Sequence, residues 1–280
     1  MRPFEARVEL VAIVFACAVA HAPGILGWPL AAPDDQRQRF HLAYQRLGSA
    51  LRASRPDAIV ILTAEHWANF FLNNYPAFCI GRASEYVGPL EDSINVPRGT
   101  VSGDAQLARE LLQGCFLRGV EPSFSEELTL DHGTMVPLHF LTPERDVPIV
   151  PIIVNALAPP LPTPTRCFDF GLALGPVIRS SAKRIALVAS GGLSHRPGTP
   201  LAGEIDTGFD QQFLAAFCAA DTRGLRSYTH ESIASAGFGA QEIRNWIALA
   251  GIVQSYTAQI LAYEPVAAWS TGCALAQVEC

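Results

Sequence analysis

Apolar residues along this chain fall into short unbroken runs, separated by stretches in which they recur every three or four positions. The runs cover Val8 to Val19, Asp57 to Ala64, Ala77 to Ile80, Val147 to Val154 and Ala182 to Val188. Runs of this length predict strands buried on both faces, as in a parallel sheet. A last strand is expected from Thr257 to Tyr263. Prolines inside Val147 to Val154 suggest an edge or irregular position for that strand. Helical spacing appears in Phe40, Ala43, Leu47 and Leu51, after Asp34 as a cap. His41 lies off that stripe and is expected on a solvated face. Further helices are expected over Asp104 to Gly119, Phe168 to Ser180, Asp206 to Ala219 and Gln241 to Val253. Strands alternating with helices predict an α/β fold, a three-layer sandwich with a mostly parallel central sheet flanked by helices. No linker or repeat divides the chain, so residues 1–280 are read as one domain.

Composition narrows the function classes. Nearly half of the 280 residues are hydrophobic and 16% are charged, which suits a large buried core. The net charge of -6 comes without a basic stripe, so no nucleic-acid partner is expected. The seven cysteines are scattered and show no CxxC spacing, which favours reduced thiols and a cytoplasmic setting. At the N-terminus, Arg2 and Arg7 precede an apolar run ending in Ala18-Val19-Ala20, which imitates a signal peptide. Glu5 and Glu9 argue against that reading. The run is also too short to span a membrane, and no membrane partner is expected. A buried first strand explains it equally well.

The candidate chemistry lies where strands end, which is where open α/β sheets bind ligands. His195 follows the run Ala182 to Val188 through Ser190-Gly191-Gly192-Leu193-Ser194, and its two glycines allow a tight turn or a close approach of backbone to ligand. His21 and His66 each follow a buried run directly. Consecutive strands are often neighbours, so their imidazoles are expected to converge. Two histidines and a carboxylate form a standard facial ligand set for non-haem iron(II), and zinc accepts the same ligand types in hydrolases. The candidate carboxylates are Glu65, Asp131 and Glu242. Glu65 adjoins His66 on extended chain and should point the other way, and Asp131 stands similarly to His132. Glu242 opens a helix after Gly237-Phe238-Gly239. From the residues alone, hydrogen-bonded structural histidines and a metal site are about equally supported, and the choice of metal stays open.

Several motifs together resemble the class III extradiol ring-cleavage dioxygenases. They are His21-Ala22-Pro23, Glu65-His66, Asp131-His132-Gly133-Thr134-Met135-Val136-Pro137-Leu138 and Ser190-Gly191-Gly192-Leu193-Ser194-His195. Pro76 to Gly81, Val154-Asn155, Arg166-Cys167-Phe168 and Glu242-Ile243-Arg244-Asn245-Trp246 also fit. The family includes the catalytic subunit of protocatechuate 4,5-dioxygenase and 2,3-dihydroxyphenylpropionate 1,2-dioxygenase, and the resemblance runs from His21 to the C-terminal strand. Ala20 departs from the serine common before the first histidine.

The resemblance implies Fe(II) held by His21, His66 and Glu242, His195 as the acid–base residue, and His132 as a second pocket histidine. The substrates would be a catechol and O2, with ring opening beside the diol. Trp67, Ser194 and Arg196 are expected near the substrate, with Phe70 and Phe71 as further aromatic walls. His139 and His230 match no functional position. A homo-oligomer is expected, with or without the small accessory subunit that covers the active site in some relatives. The competing readings are a divalent-metal hydrolase on the same ligands, a non-catalytic subunit that keeps the fold, and a secreted metal protein with His21 at its N-terminus.

Overall fold

A computed structural model describes residues 12–280. The strands are β1 (Ile13–Val19), β2 (Ala58–Thr63), β3 (Phe78–Gly81), β4 (Glu85–Gly88), β5 (Gly99–Ser102), β6 (Ser123–Ser125), β7 (Ile149–Val154), β8 (Ile185–Ser190), β9 (Thr257–Val266) and β10 (Thr271–Glu279). The helices are α1 (Gly24–Gly27), α2 (Asp34–Ser54), α3 (Ala105–Phe116), α4 (His132–Leu141), α5 (Pro164–Arg179), α6 (Thr207–Cys218), α7 (Thr222–Ser227), α8 (His230–Ala234) and α9 (Ile243–Val253). Eight strands form one sheet in the order β6-β3-β7-β2-β8-β1-β10-β9, and β4 and β5 pair separately. The central run β7-β2-β8-β1 is parallel.

Alternation along the central strands builds two cores. Val60, Leu62, Leu187 and Ala189 face one side, against Leu111 of α3, Phe170 and Leu174 of α5, Phe217 of α6 and Trp246 of α9. Ile59, Ile61, Ala186 and Val188 face the other, against Tyr44 and Leu47 of α2 and Met135 and Leu138 of α4. The three-layer sandwich read from the sequence is therefore the observed architecture. Among the described residues, no helix is long and apolar enough to cross a membrane.

Four expectations change. The first strand begins at Ile13, and Val8 to Val11 lie outside the described residues. β1 and β2 are not neighbours, because β8 lies between them. β7 is interior despite Pro151. Its odd-numbered residues turn their backbone groups away from β2, since Ile149 accepts from Asp104 N and Asn155 donates to Ala77 O. The missing N–H of Pro151 thus falls on the β3 side, one position beyond the last pair, Ile80 with Ile152. His41 is half-buried with its Nε2 enclosed, because its ring packs against Phe140 of α4.

Helix α9 carries Glu242 at its start, and its distance from the sheet is set by a close crossing with α5. A Cβ added at Gly171 would stand 2.1 Å from the Ala248 carbonyl oxygen, and one at Gly251 would stand 2.2 Å from that of Phe168. Both obstacles are backbone and cannot swing aside. Gly171→Ala is expected to destabilise the fold by about 1–3 kcal/mol. Gly208→Ala, where the added atom meets only an Asp206 oxygen at 3.5 Å, should be neutral or slightly stabilising. Urea midpoints of the two variants decide this. Equal midpoints would show that α5 and α9 can move apart freely.

Candidate active site

The parallel strands β1, β2 and β8 end level with one another, since Val19 and Thr63 both stand beside Ser190. Each chain leaves the sheet at that level and delivers one histidine. The His21 and His66 rings meet edge to face with centroids 5.2 Å apart, although a strand separates their own strands. Glu242 reaches them from the junction between a 3-10 turn, Phe238–Glu242, and α9. Its Oε2 accepts from the Gly192 backbone N–H at 2.6 Å.

Hydrogen bonds fix which nitrogen each ring turns inward. The Ser190 hydroxyl donates to the Gly133 carbonyl at 2.6 Å. Its oxygen is therefore the acceptor for His21 Nδ1–H at 2.8 Å. Pro137 sits inside α4, so it cannot supply the helical N–H that would otherwise bond to Gly133, and that carbonyl is free for Ser190. Asp131 Oδ2 accepts from the His66 backbone N–H at 2.7 Å and from its Nδ1 at 3.0 Å. Both rings are left with Nε2 as an acceptor.

These two nitrogens face the Glu242 carboxylate, His21 Nε2 at 3.2 Å and His66 Nε2 at 3.1 Å. His21 Nε2 is buried and has no hydrogen-bond partner. Three acceptors so close together repel unless a cation stands between them. Donors bound at right angles to one divalent metal, each about 2.1 Å away, lie about 3 Å apart. The residues therefore fit a metal ion. His21, His66 and His132 also form a close cluster. His132, however, stacks on His66 at 3.9 Å and 30°. Stacked rings hold their lone pairs in separate, near-parallel planes, which suits those two less well to sharing one ion than His66 and Glu242.

The same crowding of charge sets the direction in which each group's pKa moves. Burial raises the Glu242 carboxyl, but His21 and His195 outweigh it and hold it well below its usual range. Burial opposes a charged His66, yet Asp131 and Glu242 push its pKa up to about 10. Asp131 is raised by burial and lowered more strongly by His66, to about 2. Burial, followed by the neighbouring His66, lowers the pKa of His132.

His195 completes the cluster. Its Nε2 lies 3.7 Å from Glu242 Oε1 and its Nδ1 donates to the Leu193 carbonyl at 2.8 Å. Burial works against its charged form, and Glu242 more than offsets this, so its pKa rises. The Gly-Phe-Gly segment makes room for it. A Cβ at Gly239 would stand 2.2 Å from His195 Nε2, and Gly237 has φ +116° with the His195 carbonyl 2.1 Å from an added Cβ.

Residues 15–274 match the family model of the catalytic LigB subunit of aromatic ring-opening dioxygenase. The chain belongs to this family of dioxygenases. It is 28% identical to a 2,3-dihydroxyphenylpropionate/2,3-dihydroxicinnamic acid 1,2-dioxygenase of Photorhabdus laumondii, covering 88% of this chain and 92% of that one. A protein of the same name from Paraburkholderia xenovorans is 29% identical over 86% of this chain and 92% of its own. The crystal structure of an uncharacterized protein from Escherichia coli K12 superposes with a TM-score of 0.62 over 94% of this chain and 99% of that one. At 18% identity, that likeness concerns the fold.

The substrate-side residues of this dioxygenase-family chain are placed less uniformly. Trp67 follows His66 with φ +60°, is 40% exposed, and packs edge-on against Tyr75. Phe71 is exposed, while Phe70 is partly buried against the core. Ser194 corrects an expectation, because it is fully buried and its hydroxyl donates to Asp210 at 2.9 Å. It braces the His195 loop and cannot line a substrate pocket. Arg196 also turns elsewhere, donating to the Ser235 carbonyl at 2.6 Å. Sequence reasoning missed Ser190 and Asp131 as the partners of His21 and His66, and Glu91 as that of His132. Ser190 and Asp131 both stood inside motifs, whereas Glu91 carried no local signal.

A carboxylate on the far nitrogen of a metal-ligating histidine fixes its tautomer and raises its basicity. Asp131→Asn is expected to weaken divalent-metal binding about 10–100-fold while the chain stays folded. Competition against a chelator measures this. Unchanged affinity would remove Asp131 from the metal-binding role.

Proposed function

We propose that this chain is a non-haem iron(II) extradiol dioxygenase, residues 1–280 acting as one catalytic domain on a catechol and O2. The reading rests on one observation above others. His21 Nε2 and His66 Nε2 both turn to the Glu242 carboxylate, at 3.2 and 3.1 Å, with His195 Nε2 beside it at 3.7 Å. Iron(II) held by His21, His66 and Glu242 would supply the redox chemistry by which the electron-rich catechol ring reduces O2.

The chain's own residues then handle protons. His195 keeps its Nδ1 proton on the Leu193 carbonyl, so Nε2 is the atom that accepts one. It takes a proton from a catechol hydroxyl as the diol binds and holds it within the site for return to the ring-opened product. Histidine suits this exchange because its ordinary pKa lies near neutrality. His132 offers a hydrogen bond to the substrates, catechol or O2. Trp67 offers an aromatic wall at the mouth, and its exposure supports that role. The names of the relatives favour a catechol carrying a short acid side chain, such as 2,3-dihydroxyphenylpropionate.

The test is anaerobic loading with iron(II), followed by oxygen uptake and absorbance with protocatechuate, gallate, 2,3-dihydroxyphenylpropionate and catechol. Oxygen consumption with a yellow ring-opened product is expected. Bound iron without turnover would point to a required covering subunit, and turnover with zinc but without oxygen would favour a hydrolase. His195→Ala is expected to keep its iron and lose ~10²–10⁴ in rate. His66→Ala should lose both iron and turnover. Iron-dependent turnover by His66→Ala would refute the ligand assignment.

A further inference from the structure

We propose that Glu91 is a positioning residue that sets the tautomer of His132, and with it the atom His132 offers to the substrate. This rests on the dioxygenase reading of the site. Glu91 precedes the 3-10 turn Asp92–Ile94, on a segment tied to α4's approach by the Leu90 N–H to the Leu130 carbonyl at 2.8 Å. Its carboxylate takes two donors from one residue. Oε2 accepts from the His132 backbone N–H at 3.0 Å, and Oε1 accepts from the ring Nδ1 at 2.6 Å.

The two bonds are unequal in what they permit. His132 is the first residue of α4, so its backbone N–H has no partner within the helix and can only donate. The ring nitrogen can donate or accept, depending on the tautomer. Two carboxylate oxygens oblige both groups to donate. The neutral ring therefore carries its proton on Nδ1, and Nε2 remains an acceptor. Among the described residues, nothing in the protein hydrogen-bonds to that Nε2. The ring lies face-on to His66 and edge-on to His21, so the free nitrogen belongs to the site.

Glutamine at this position would reverse the arrangement. A carboxamide has one acceptor and one donor end. The backbone N–H must take the oxygen. The amide NH2 then faces Nδ1, which has to accept, and the ring proton moves to Nε2. Glu91→Gln thus keeps size and both contacts but turns an N–H toward the substrate where a bare nitrogen stood. A wrong histidine tautomer is known to be costly even when geometry is intact.

The experiment uses the full chain labelled with 15N-histidine and loaded with zinc(II) as a diamagnetic probe, at about pH 8, where an unperturbed ring is neutral. Long-range proton–nitrogen correlation spectra, with His132 assigned through His132→Gln, report its tautomer without reference to activity. The wild type should carry the proton on Nδ1 and Glu91→Gln on Nε2. A wild-type proton on Nε2 overturns the proposal whether or not the variant folds, and so does an unchanged tautomer in Glu91→Gln. In the iron(II) enzyme, Glu91→Gln should lower kcat by roughly tenfold or more with iron content retained and KM changed by less than about threefold. Glu126→Gln, a surface control paired with Arg82, should change none of these. Inversion of the tautomer without loss of kcat would overturn the positioning role. A wild type that binds no iron(II) would instead sink the dioxygenase reading, leaving the tautomer assignment to stand or fall on the spectra.

Discussion

Mutual repulsion among three acceptors is the constraint around which this molecule is arranged. His21 Nε2 and His66 Nε2 are held 3.2 and 3.1 Å from the Glu242 carboxylate by hydrogen bonds on their far sides. Placing unpaired acceptors together inside a protein costs free energy unless a cation compensates. The rest of the fold supplies the rigidity that keeps them there. The level ends of β1, β2 and β8 set the height of the cluster. The glycine crossing of α5 and α9 sets how far Glu242 reaches. The Gly192 N–H holds one of its oxygens.

The opposite charge pattern explains the buried acids. Asp131 and Glu242 are both buried carboxylates, which burial alone would drive toward the neutral form. Each instead faces imidazoles that favour its anion. Asp210 behaves differently. It is also buried, but its partners are the Ser194 backbone and hydroxyl and the Tyr263 hydroxyl, all neutral, and burial raises its pKa. Charge is thus concentrated at the strand ends, while the loop behind His195 is braced by neutral hydrogen bonds.

Much of the frame was legible because it follows from local pattern. Strands buried on both faces read as continuous apolar runs, and β2, β7 and β8 show this clearly. β10 escaped notice although it is buried, because Gly272, Cys273, Ala274 and Ala276 carry little of the β-branched signature. Helix α4 was obscured by Pro137. Strand order was not legible, since nothing in β1 or β2 announces that a strand from far along the chain separates them. The histidines and Glu242 stood out by their place at strand and helix ends. Their partners did not, because those contacts join distant segments. Ser194 misled for the converse reason: its position beside His195 suggested the pocket, while alternation of side chains along the loop sent it to Asp210.

The start of α4 ties these threads together. Asp131, His132 and Gly133 are consecutive, and each governs a different part of the cluster. Asp131 caps the helix through the Gly133 N–H and holds His66 with its other oxygen. His132 stacks on that same ring. Gly133 accepts from Ser190, which in turn accepts from His21. Glycine is required there, because a Cβ would stand 2.7 Å from Thr63 Oγ1 and 2.8 Å from the Ala64 carbonyl oxygen at the end of β2. One helical turn, pressed against the strand that delivers His66, therefore orients three of the four clustered histidines at once. The proline that weakens the helix as a sequence signal is the same residue that frees the Gly133 carbonyl for this task. A local rule is broken in α4 at the point where the site gains a fixed His21.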